Sequence, residues 1–62
     1  MTARCIRDFR SFRAGEQYAA CPVLCGYQID TVPGRGWRDE SIRAEDVDVV
    51  LDADFQRHFS VK

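Results

Sequence analysis

Ile6, Phe9 and Phe12 recur at every third residue, and Arg4, Arg7, Arg10 and Arg13 keep the same interval beside them. In a helix of 3.6 residues per turn, each step of three drifts about 60° backwards. Three such steps carry an apolar stripe halfway round the cylinder, and an amphipathic helix needs threes and fours mixed. Thr2 as a cap and Gly15 as a stop would bound a basic helix here, but its apolar face would not hold. The alternative is favoured: a short strand from Ala3 to Phe9, an exposed connection from Arg10 to Gly15, and Phe12 tucked back into the core. Gly15 then supplies a turn conformation at positive φ.

The rest of the chain carries the same signature of short strands and turns. Glu16 to Cys21 (EQYAAC) reads as a strand led by Tyr18, which Pro22 ends because it has no amide hydrogen to donate. Residues 21–26 (CPVLCG) read as a loop with Gly26 as a turn residue. Residues 27–32 (YQIDTV) alternate, with Tyr27, Ile29 and Thr31 on one face and Gln28, Asp30 and Val32 on the other. Pro33 to Gly36 (PGRG) punctuates a turn, and residues 37–42 (WRDESI) read as the return strand of a hairpin. Residues 43–47 (RAEDV) look like one helical turn. The β-branched run 47–51 (VDVVL) reads as the last strand. In the closing segment, Asp52 or Asp54 is expected to cap a short helix that carries Phe55 and Phe59 on one face. Five short strands about ten residues apart argue for a small antiparallel barrel or sandwich.

A chain of 62 residues is a single domain, 1–62, and buries only about 60% of the surface it exposes when unfolded. Its seven aromatic residues (Phe9, Phe12, Tyr18, Tyr27, Trp37, Phe55, Phe59) are therefore the expected core. Net charge is −1, which gives no overall reason to expect nucleic acid or a membrane surface. Charge is unevenly placed. Residues 1–13 hold four Arg against one Asp, and residues 39–54 hold seven acids against Arg43. The two segments are expected to lie close and offset each other, unless the acidic one docks on a basic partner. There is no membrane-spanning apolar run and no signal-peptide pattern. Three cysteines, an odd count, fit reduced thiols better than a disulfide framework, so the expected compartment is cytoplasmic.

Several short stretches resemble a known family. Residues 5–9 (CIRDF) resemble the ALYDF strand that opens Src-homology-3 domains. Residues 12–18 (FRAGEQY) resemble the stretch F-x-x-G-(D/E)-x-hydrophobic, where a loop returns to the sheet. RGW followed by IRAEDVDVV resembles the ending of the family, a strand and one helical turn before a Val-bearing strand. The resemblance covers roughly residues 3–51. It implies a small Src-homology-3-like barrel of about five antiparallel strands with a short C-terminal helix. It also implies kinship with small bacterial or bacteriophage proteins of that build. The polyproline groove does not carry over: Arg7 stands for its Tyr, and Ala44 and Asp46 stand near its Pro and Tyr. Proline-rich ligands need an aromatic-lined groove.

Few residues invite chemistry. Cys5, Cys21, Cys25 and His58 have the types of a Cys3His zinc site but only one close pair. Cys5 and Cys21 are instead expected as small core residues and Cys25 as a loop thiol. His58 has Asp54 four residues back, but its simpler reading is an exposed histidine at a helix end. PGRG is too short to cradle a phosphate. No catalytic set converges and no metal or cofactor is expected, so enzymatic activity is not. The expected function is protein–protein interaction, as a phage or bacterial accessory factor. Its partner surface is expected at Trp37, Arg35, Arg38 and Tyr27, with Asp39 and Glu40 on the rim. The alternative is a small nucleic-acid-binding barrel that uses the Arg series, with Trp37 or Tyr27 for base stacking.

Overall fold

The computed structural model describes residues 1–36 and 42–61. Among them the order is β1 (Thr2–Cys5), β2 (Gln17–Val23), β3 (Gly26–Asp30), a 3-10 turn (Ala44–Asp46), β4 (Val47–Leu51), α1 (Asp52–His58) and β5 (Phe59–Val61). All neighbouring strands are antiparallel, in the spatial order β4-β3-β2-β1-β5. The fold is thus mostly β with one short helix. Among the described residues the expected closed barrel is not formed: the sheet is open, with β4 and β5 as its edges.

What joins those edges is α1, entered directly from Leu51 and left directly into Phe59. A seven-residue helix is about 10 Å long. Four strand spacings across a flat sheet come to about 19 Å. The sheet must therefore curl for α1 to bridge it. The curl centres on β2, whose residues 17–19 pair with β1 and whose residues 20–23 pair with β3. At the changeover, the Ala20 amide donates to the Met1 carbonyl (2.8 Å) and the Met1 ammonium donates to the Ala20 carbonyl (2.9 Å).

β1 is shorter than expected, ending at Cys5. There the Cys5 amide donates to the Glu16 carbonyl, and the Cys5 carbonyl accepts from Gly15 at 2.7 Å. These two bonds close the base of the loop 6–16. Gly15 has φ +92°, as its expected turn role requires. Within the loop, Phe9 and Phe12 exchange both backbone hydrogen bonds (3.0 and 2.8 Å), with Arg10 at φ +52° in the reversal. No helix forms, and Phe12 is buried as expected.

Three more expectations change. β2 continues through Pro22, because the ladder turns that nitrogen toward the side of β1, which has already ended. Gly26 is not the turn residue, since Leu24 and Cys25 make the turn and Gly26 opens β3 opposite Val23. A Cβ on Gly26 would lie 2.1 Å from the Val50 carbonyl oxygen, so β4 approaches too closely for any side chain. The strand 47–51 is present as expected but is not the last, because Phe59 leaves the helix to pair with Cys5 in β5. The proposed return strand at 37–42 falls, but for Ile42, outside the described residues.

The core gathers Ala3, Cys5, Phe12, Tyr18, Ala20, Ile29, Val50, Phe55 and Phe59, with Phe9 and Tyr27 packed against it. Its rings run in series from Tyr27 to Phe55 (3.8 Å between centroids), Phe59 (5.2 Å), Phe12 (5.3 Å) and Tyr18 (5.0 Å). Helix α1 contributes only Phe55 as a buried residue. It has no side-chain N-cap, contrary to expectation: Leu51 is the cap residue, and the Asp52 amide donates to the Cys25 carbonyl (3.3 Å). Asp52 and Asp54 in the first turn, with Arg57 and His58 in the last, complement the helix dipole.

Candidate interaction surfaces

Asp30 ends β3 on the face opposite the core residue Ile29, yet it is fully buried. A buried carboxylate needs charge and hydrogen-bond partners. The Arg35 guanidinium supplies a bidentate pair, Nε to Oδ2 at 2.9 Å and Nη2 to Oδ1 at 2.6 Å. The Val32 amide also donates to Oδ1 (3.2 Å), folding an Asx turn over the carboxylate. Arg35 Nη2 reaches Asp46 Oδ2 at 3.4 Å. The Asp46 carbonyl in turn accepts from the Thr31 amide and hydroxyl, both at 2.8 Å. The hydrogen bonds that Arg35 donates to Asp30 hold its pKa far above its ordinary value, with Asp46 adding to the rise. These groups clamp the two stems of the segment 31–46. The turn at 33–34 is further tied to β2 by the Gly34 amide on the Gln17 carbonyl (2.9 Å).

The sequence-predicted partner residues fall into two groups. Trp37, Arg38, Asp39 and Glu40 lie outside the described residues. Arg35 and Tyr27 are described, and each has a packing role. The Arg35 side chain is only 15% exposed beneath Asp30 and Asp46. Tyr27 is half-buried on Phe55. The two attach to opposite ends of β3, and Tyr27 shares the core face with Ile29. Asp30 and Asp46 were not legible as anchors, since the only signal is an Asx pattern of Asp30 two residues before Val32.

The Arg series is divided by the fold. Arg10 spends its Nη1 on Asp48 Oδ2 (3.2 Å) and on the Val49 carbonyl (3.1 Å). Its guanidinium also lies 4.9 Å from the centre of the Phe9 ring. One direct contact thus joins the basic and acidic segments, and it caps part of the β4 edge. Arg4 sits on the outer face of β1. It lines a groove of about 490 Å³ together with Thr2, Ile6, Gln17 and Ser60. A second exposed region is apolar: Val49 and Leu51 on the outer face of β4 and Leu24, fully exposed, at the β2–β3 turn.

Cys5 is buried, but Cys21 points outward and Cys25 is exposed in the turn, so Cys21 is not the core residue expected. The alternation that buries Ala20 places Cys21 on the other face. Among the described residues, no three of His, Cys, Asp and Glu are gathered to hold a metal ion. His58 is half-buried, stacked on Phe9 (4.3 Å), and its Nδ1 meets the Asp54 backbone carbonyl (2.8 Å) rather than the carboxylate. Among the described residues no helix is long and apolar enough to cross a membrane. No protein-family model matches the chain, and no curated protein or solved structure shows a significant match to it.

Proposed function

We propose that this chain is a small, non-enzymatic protein–protein interaction module that presents the segment 36–45 from a fixed base. The observation that carries this reading is the buried Asp30 carboxylate held by Arg35, with Asp46 beside it. A buried ion pair contributes little net stability compared with apolar packing. Its clearer effect is to specify one arrangement, here of two stems that bracket Trp37, Arg38, Asp39 and Glu40. Trp and Arg commonly dominate interfaces. On this reading Trp37 and Arg38 contact the partner, Asp39 and Glu40 form the rim, and Arg35 holds the base. Tyr27 supports α1 through Phe55.

The Src-homology-3-like architecture is part of the same proposal. It is supported by the order of short strand, long loop, hairpin, 3-10 turn and strand across residues 3–51, with α1 in place of closure. An accessory role in a bacterium or bacteriophage follows from that likeness alone, and a cytoplasmic compartment from the reduced thiols. The nucleic-acid alternative is weakened by the ion pairs of Arg10 and Arg35.

Capture from source-cell lysate on the immobilised chain, compared with a Trp37→Ala variant of equal melting temperature, tests the reading. Proteins retained by the native chain and lost from the variant are expected. Identical captured sets would overturn it.

A further inference from the structure

We infer that the groove on the outer face of β5, β1 and β2 is a binding site for a carboxylate attached to a small apolar body. Three polar side chains stand in one register row there. Arg4 on β1 is opposite Ser60 on β5 and opposite Gln17 on β2. Register neighbours hold their Cβ atoms about 5 Å apart, so a guanidinium, a hydroxyl and a primary amide converge on one spot. The Arg4 guanidinium makes no hydrogen bond or ion pair among the described residues, unlike Arg10 and Arg35. No acid lines the groove, which Thr2 and Ile6 complete. Ile6 is half exposed and offers an apolar wall. The volume of about 490 Å³ lies within the range of small-ligand sites, roughly 300–1,000 Å³.

The charge balance selects the ligand class. One guanidinium matches one carboxylate in a two-pronged pair, and the Ser and Gln side chains add neutral donors. A phosphate dianion needs more positive charge, or a nest of free backbone amides. β1 offers no such nest, because it is paired on both sides. The carboxylate can come from a free small acid or from the C-terminus of a peptide. This site is independent of the proposed Trp37 surface, although the Gly34–Gln17 bond places it beside the 33–34 turn.

The test is an NMR amide-shift titration of the whole chain with four probes: 4-phenylbutyrate, the peptide acetyl-Gly-Val-Leu with a free carboxylate, the same peptide as its C-terminal amide, and inorganic phosphate. Saturable shifts confined to Thr2, Arg4, Ile6, Gln17 and Ser60 are expected with one or both carboxylates. Whichever binds tighter identifies the source. Arg4→Gln, at unchanged melting temperature, is expected to weaken that binding roughly ten- to a hundredfold, with partial recovery in Arg4→Lys. The proposal is overturned by no saturable shift with either acid, by equal binding of the amide or of phosphate, or by undiminished binding to Arg4→Gln. Trp37→Ala should leave this titration unchanged, which separates the two readings.

Discussion

Gly26 and Cys5 show how closely single positions are constrained. Any side chain at Gly26 would collide with the backbone of β4 at Val50 and Leu51. Gly26→Ala should therefore cost about 1–3 kcal/mol by overpacking, read as a lower urea midpoint. An unchanged midpoint would mean that β4 does not approach as described. Cys5 is buried, and burial is the main cause that pushes its thiol above the ordinary range. A hydrogen bond with the Arg7 backbone partly offsets the rise, and the charge of Asp8 adds to it. The sign follows: the folded state resists forming the thiolate, so stability is unaffected below the unfolded thiol pKa of about 8.5 and declines as pH rises above it. With a thiol reagent at pH 8, Cys21 and Cys25 should react at once and Cys5 only on unfolding. Three equally fast thiols would contradict the core assignment. The sequence pattern misplaced Cys21 because type alone made it a core candidate, whereas strand register sets its direction.

At the scale of elements, the loop 6–16 helps to enclose the core. It carries Phe12 inward, bonds its Arg13 amide to the Tyr18 hydroxyl (2.9 Å) and its Ala14 amide to Asp8 (2.8 Å). It also lays Arg10 across β4. Arg10 combines a left-handed backbone with an exposed strap, and substitutions separate the two. Arg10→Ala loses the strap and keeps the strain. Arg10→Gly loses the strap and relieves the strain, so it should be more stable than Arg10→Ala by about 1 kcal/mol. The reverse order in thermal melts would refute the positive φ. Much of this level was legible. The spacing by threes argued against a helix, and β-branching marked residues 47–51. The β5 strand was hidden because Phe55 and Phe59, four apart, fit a helix equally well. Only the pairing of Phe59 with Cys5, a contact between the ends of the chain, decides it.

Across the described residues, five strands and an aromatic series leave the sheet open, and one helix spans the gap. The candidate site was legible only as a turn flanked by Trp and Arg. The burial of Asp30 was not legible, because it depends on residues on both sides of the loop. Removing that carboxylate alone, as in Asp30→Ala, leaves the Arg35 charge without its bidentate partner and should lower the melting temperature by about 10 °C or more. The proposal is that the Asp30–Arg35 pair fixes the stems on either side of residues 37–41 and is not needed for the fold. Its most direct test is the double variant Asp30→Leu with Arg35→Met, melted and then used for capture beside the native chain. A melting temperature within about 5 °C of native is expected, with loss of the proteins whose capture depends on Trp37. Retention of those proteins at native strength would contradict it.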